Sequence, residues 1–321
     1  MSYLDIKADE KVVLDAPKGV PEQVHLFDQK SIDAINAALA ARRPLLIRGE
    51  PGVGKSQLAR AAAKRLNRAY VSHVVDAHSE SRDLLWHFDA VQRLADAQLG
   101  TALGETPDEV KEKLHIDNYL HPGPLWWVFN WQNAKDQAEK LKQNPPYQFA
   151  DCAPENGAVL LIDEIDKAEA DLPNGLLEAL GEGRFTPMGR KEPVCVSEIF
   201  PLVIITTNED RALPNAFLRR CLVLHLDLFD QKAPITILVE RAKVHFPGLD
   251  EEKVIKPAAE QMLNDRATAK SNQQQPLPGQ AEFFDLLRAV KTLSEQGKGE
   301  PESLIAKVAP YVLQKQAGAK E

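Results

Sequence analysis

Short, fully apolar runs alternate along this chain with stretches whose apolar residues recur at helical spacing. Ile32, Ile35 and Leu39 line one helical face, with Ser31 as the expected N-cap. Pro44-Leu45-Leu46-Ile47-Arg48 then reads as a short buried strand that ends at Gly49. From Lys55 onward, Leu58, Ala61, Ala62 and Leu66 return to helical spacing, and Ala69 to Val75 has the β-rich character of another strand. Ala158 to Ile162 and Leu202 to Ile205 are continuous apolar runs, as expected of parallel strands covered on both faces. Between them, Leu172, Leu176, Leu177 and Leu180 mark a helix closed by Gly181 and Gly183. Strand alternating with helix predicts an α/β domain, a doubly wound parallel sheet.

The texture changes near residue 229. Helical patterns cover 233–245, 251–264, 281–294 and 302–315, separated by breakers such as Pro247-Gly248 and Gln273-Gln274-Gln275-Pro276. They predict a small C-terminal all-helical domain over 229–321, after a core over 25–228. Residues 1–24 are polar, carry Pro17 and Pro21, and read as an N-terminal arm. The stretch 76–157 is too long for a loop and reads as an insertion with helical pieces at 106–114 and 132–142. Its aromatic cluster of Trp126, Trp127, Phe129 and Trp131 is expected to pack the insertion onto the core, with a partner-gripping surface as the alternative.

Composition narrows the class. Hydrophobic residues make up 44% and charged residues 27% of 321, which is ordinary globular usage and ample for two cores. The opening MSYLDIKADE holds three acids and no apolar h-region, so no secretory signal is expected, and no apolar run approaches the roughly 20 residues of a membrane helix. Cys152, Cys195 and Cys221 lack metal-binding spacing and form an odd count, so neither a disulfide framework nor a zinc site is expected. A cytoplasmic location follows as the expectation.

The chemistry begins at Gly49-Glu50-Pro51-Gly52-Val53-Gly54-Lys55-Ser56, a full match to G-x-x-x-x-G-K-[ST], with Gln57 next in the chain. It follows a predicted strand and opens a predicted helix. Glycines let successive N–H groups turn toward phosphate oxygens, and the helix N-terminus adds partial positive charge. Lys55 is suited to the β- and γ-phosphates, and the Ser56 hydroxyl to Mg²⁺. Leu160-Leu161-Ile162-Asp163-Glu164 supplies the second half. A strand ending in Asp puts a carboxylate at the sheet's carboxyl edge, where Asp163 suits Mg²⁺ and Glu164 suits a general base for an attacking water. Asp166 reads as a helix or loop cap. The third apolar strand ends in Thr206-Thr207-Asn208, whose amide is placed to orient that water and sense the γ-phosphate.

Together these residues resemble the AAA+ ATPases, and within them the MoxR-like branch. Thr206 to Asp210, followed by Leu213-Pro214-Asn215-Ala216-Phe217-Leu218-Arg219-Arg220-Cys221, is similar to a sensor 1 segment leading to an arginine finger. Leu172 to Leu180 with Gly183-Arg184-Phe185 resembles the helix and hairpin after Walker B, and Gly123-Pro124-Leu125 the close of the helix-2 insertion. The likeness covers roughly residues 25–290. It implies an AAA+ core with a helical lid, ATP and Mg²⁺ as cofactors, and Asn208 as sensor 1. Arg220 is the implied finger, with Arg219 second. A finger acts in a neighbour's site, so the resemblance implies a ring, commonly a hexamer, and places residues 24–27 near the adenine. A sensor 2 arginine is expected at the start of the third lid helix, but Gly279-Gln280-Ala281-Glu282-Phe283-Phe284 stands there, leaving Arg288 as the candidate. The spacer 132–147 is also long for the branch.

Three functions are compatible with these residues. One is a MoxR-type motor that remodels or activates a protein client, including a von Willebrand factor A-domain partner. Another is a nucleic-acid-associated NTPase motor related to McrB. The third is a P-loop nucleotide switch or small-molecule kinase. The Asn-Lys-x-Asp motif of GTPase switches is missing, and a kinase has no need of Asp163-Glu164 with Asn208. The formal charge of −8 argues against bulk binding of nucleic acid. That charge is uneven: 76–157 holds 14 acids and 7 bases, net −7, whereas 229–321 holds 13 of each. An acidic insertion favours a basic or polar protein client over a phosphate backbone.

Overall fold

The computed structural model describes residues 3–14, 23–103, 106–149, 151–229 and 234–314. Pro17 and Pro21 of the expected arm lie outside the described residues, whereas Lys11–Leu14 form a strand with Val12 and Leu14 buried on alternate positions. The chain forms two compact units. The first comprises 1–15, 27–48 and 56–224; the second comprises 16–26, 49–55 and 225–321.

A five-stranded sheet organises the first unit: β1 (Leu45–Arg48), β2 (Arg68–Val74), β3 (Ala153–Asp163), β4 (Leu202–Thr207) and β5 (Leu222–His225), in the order β5-β1-β4-β3-β2. β4 runs parallel to β1 and β3, and β2 runs parallel to β3. Leu45, Leu46, Ile47, Ile204 and Ile205 are all inaccessible, although alternate residues of a strand point to opposite faces. Both faces are therefore covered, which is why these strands are wholly apolar rather than alternating. This is the α/β doubly wound class expected from the sequence.

Helix α1 (Gln29–Ala41) packs on β1 and β4. Its cap is Asp28 rather than Ser31: the Asp28 carboxylate accepts from the Ser31 N–H at 2.7 Å, and Ser31 itself is buried in the first turn. Helix α2 (Lys55–Arg65) follows the glycine-rich loop. Helix α3 (Pro124–Phe129) lies against β2 and β3 and buries Trp126, Trp127 and Phe129. The aromatic cluster is thus core, with the Trp126 indole N–H donating to Asn133 Oδ1 at 2.8 Å. The antiparallel strands Trp86–Phe88 and Leu120–Pro122 form a ribbon at the base of the insertion, and helices Ala90–Leu103 and Pro107–Lys113 lie between them in the chain. Helix α4 (Asp171–Glu182) runs through Gly181 and ends at Gly183, which takes the left-handed conformation.

In the second unit, α5 (Pro234–His245), α6 (Lys256–Ser271), α7 (Gln280–Glu295) and α8 (Pro301–Leu313) enclose their own apolar core, including Met262, Phe283, Leu287 and Ile305. The helical pattern read from residue 251 starts as a π turn over Glu251–Ile255. The α-helix proper begins where Pro257 occupies its first turn. Among the described residues no helix is long and apolar enough to cross a membrane. Cys152 and Cys221 are buried and Cys195 is exposed, all as free thiols.

Candidate nucleotide site

The loop between β1 and α2 is shaped by glycines that no other residue replaces. Gly49 has φ +154°, and a Cβ there would lie 2.5 Å from the Leu226 carbonyl oxygen. Gly52 has φ +78°, and its Cβ would lie 2.8 Å from the Ala281 methyl. Lys55 is buried, and its ammonium donates to the carbonyls of Gly49 at 2.7 Å and Glu50 at 2.9 Å, which holds the charge at the loop. The Glu50 carboxylate faces Arg266 of α6, whose Nη2 lies 2.5 and 2.7 Å from its two oxygens. Gln57 falls in the first turn of α2.

In the first unit, the ends of β3 and β4 converge on Ser56. The Ser56 hydroxyl donates to Asp163 Oδ2 at 2.8 Å. The Thr206 hydroxyl makes two bonds, donating to Asp163 Oδ1 and accepting the Glu164 N–H at 3.0 Å. Glu164 itself takes the left-handed conformation, φ 59° and ψ 47°, which turns its side chain out of the strand direction. The Asn208 amide then lies 3.3 Å from Glu164 Oε1. Asp166 is a loop cap, accepting the N–H groups of Asp210 at 2.8 Å and Asn208 at 3.4 Å. Lys167 adds an ion pair to Asp210 at 3.0 Å, a bond that raises the lysine's pKa. On β2, burial pushes the Tyr70 phenol up to about 12, so Tyr70 stays neutral.

Arg219 and Arg220 follow the short helix Asn215–Leu218, which is anchored by the inaccessible Phe217. Both are exposed. Arg43 holds their turn from the start of β1, with Nε donating to the Arg220 carbonyl at 3.1 Å and Nη2 to the Arg219 carbonyl. Next in the chain, burial raises the Cys221 thiol to about 11 despite the charge of Arg43. Arg288 is exposed and paired at 2.5 Å with Asp285, one turn earlier on the same helix.

The structure thus brings Ser56, Asp163, Glu164 and Asn208 together, while Lys55 sits with its own loop. Three contributors escape a sequence reading. Thr206 is the polar hinge of the carboxylate pair, and its signal is a buried hydroxyl ending an apolar strand. Arg43 carries no local signal. Arg266 does: it continues the buried i, i+4 line Ala258 and Met262 of α6, where a charge needs a partner. Ser56 with Asp163 offers the hydroxyl and carboxylate oxygens that suit Mg²⁺. No larger cluster of metal ligands occurs among the described residues, and Mg²⁺ typically takes its remaining ligands from water and phosphate.

The chain is similar to several known proteins. A curated relative, Lon protease of Finegoldia magna, is 27% identical over 234 residues, and the alignment covers 70% of this chain. The chain spans only 24% of that relative's length. A solved structure of a RuvB mutant from Thermotoga maritima aligns with 88% of this chain and 68% of its own, at 15% identity and a TM-score of 0.48. The family model for the AAA domain (dynein-related subfamily) matches residues 44–221, from the residue before β1 to the residue after Arg220. That span is more than half of the chain, and on it the chain belongs to the dynein-related AAA family of P-loop AAA+ proteins.

Proposed function

We propose that this protein is an ATP-hydrolysing motor of MoxR type that remodels or activates a protein client. The observation that carries the reading is the 2.8 Å bond from Ser56 to Asp163, with Glu164 and Asn208 3.3 Å apart beside it. In this reading the loop N–H groups and Lys55 would bind the phosphates, and Ser56 and Asp163 would hold Mg²⁺. The bound ion would supply positive charge to the β- and γ-phosphates. Glu164 takes the proton of the attacking water, and Asn208 fixes the carboxylate's direction through its amide. Thr206 keeps Asp163 and Glu164 in register.

Arg220, with Arg219 beside it, completes a neighbouring subunit's site, which requires a ring, in this family type a hexamer. Their exposure and their clamp by Arg43 support that role. The client reading rests on the acidic insertion, net −7, which suits a basic or polar protein surface such as a von Willebrand factor A-domain partner.

Replacing Glu164 by Gln tests the core of the proposal. ATP binding and assembly are expected to persist while phosphate release falls by about 10²–10⁴. Hydrolysis at the wild-type rate would remove Glu164 as the base. Affinity capture with the same variant, with and without nuclease, then asks whether the co-purifying partner is protein.

A further inference from the structure

We propose that Arg266 is a positioning residue for nucleotide binding, neutralising Glu50 so that a carboxylate of the phosphate-binding loop does not oppose an incoming polyphosphate. The inference rests on the reading of Gly49 to Ser56 as the nucleotide loop. Everything else in that loop favours anions: turned N–H groups, the Lys55 ammonium and the start of α2. Glu50 is the exception, a carboxylate at its second position with a side chain 46% exposed. An unpaired charge there acts well within the ~8 Å screening length of physiological salt.

Arg266 answers that charge with a guanidinium held on three sides. Nη2 meets both Glu50 oxygens at 2.5 and 2.7 Å, and Nη1 donates to the Pro278 carbonyl at 3.0 Å. The group also lies 3.8 Å over the Phe229 ring. Its side chain is 11% exposed, so the pair is shielded from solvent on the arginine side. A lysine has neither the planar fork nor the stacking face for this set of contacts. Arg266 acts through Glu50 and need not touch the nucleotide.

The test is a fluorescence titration with a MANT-labelled ATP, alongside thermal melts, of wild type, Lys55→Ala, Arg266→Gln and the double variant Arg266→Gln/Glu50→Gln. Arg266→Gln is expected to weaken binding by about tenfold, the scale of one unpaired charge near the phosphates. The double variant is expected to recover to within about threefold of wild type, because the offending charge has gone. That recovery separates charge neutralisation from packing, since the Pro278 and Phe229 contacts stay lost. A double variant that binds no better than Arg266→Gln overturns the proposal, as does Arg266→Gln that binds like wild type. If the glutamine variant does not fold, Arg266→Lys takes its place, with a smaller loss and the same required rescue by Glu50→Gln. Wild type that takes up no nucleotide, or Lys55→Ala that binds like wild type, would instead overturn the reading of the loop.

Discussion

Thr206 concentrates several demands on one hydroxyl. It donates to Asp163, accepts the Glu164 N–H and is inaccessible to solvent, so water has no route to replace it. Thr206→Val keeps the shape and deletes both bonds. The expected cost is about 1–3 kcal/mol in stability, the range for a buried group left unpaired. A fall in kcat larger than any rise in KM is also expected, because Glu164 loses its anchor. Urea melts and steady-state phosphate release measure the two parts. Unchanged kcat would reduce Thr206 to a packing residue. Asp163 and Glu164 stand out in the sequence because an apolar strand ends in two acids. Their relative geometry does not, since it depends on a hydroxyl from another strand 42 positions away in the chain.

At the level of elements, β1 and β4 were legible because burial on both faces removes every polar residue from Leu45 to Ile47 and from Leu202 to Ile205. The helix after Asp28 was legible too, but its cap was not: a serine three residues further on competes in the sequence, and only the backbone turn decides. Arg266 shows the same limit, since its partner is 216 positions distant.

Helix α5 makes a prediction of its own. His245 packs on Phe284 with ring centres 4.6 Å apart. Burial pulls its pKa down to about 4, the Arg241 and Arg288 charges act the same way, and a hydrogen bond to the Val24 backbone opposes them. The folded value lies below the ordinary value of 6.5, so between pH 6.5 and about 4 the unfolded chain binds more protons than the folded one. The His245 contribution is therefore full above pH 6.5 and is lost as pH falls toward 4. Urea midpoints at pH 7.5 and 5 should drop further in wild type than in His245→Phe. Equal drops would show that the imidazole does not titrate on unfolding.

For the whole molecule, the exposed Arg219–Arg220 turn leaves the proposed machine incomplete as a single chain. Mixing Arg220→Ala subunits with Glu164→Gln subunits should recover part of the ATPase activity that each variant lacks alone. A junction in which the Arg220→Ala subunit supplies the base and the Glu164→Gln subunit the finger is complete, the reverse junction lacks both, and a finger is worth about 10³–10⁵ in rate elsewhere. Activity that stays at the sum of the separate variants at every mixing ratio would place the arginine in its own subunit's site.

The discontinuous second unit also has a consequence for biosynthesis. The loop from Gly49 to Lys55 belongs with residues 225–321, and Gly52 rests against Ala281. A ribosome adding roughly 5–20 residues per second needs about 10–40 seconds to pass from Glu50 to Arg266. During that interval the nascent chain carries the glycine-rich loop without the arginine that pairs with its carboxylate. The glycine-rich loop is made early and its ion pair late, so the order of synthesis postpones the pairing of Glu50 until the closing helices emerge.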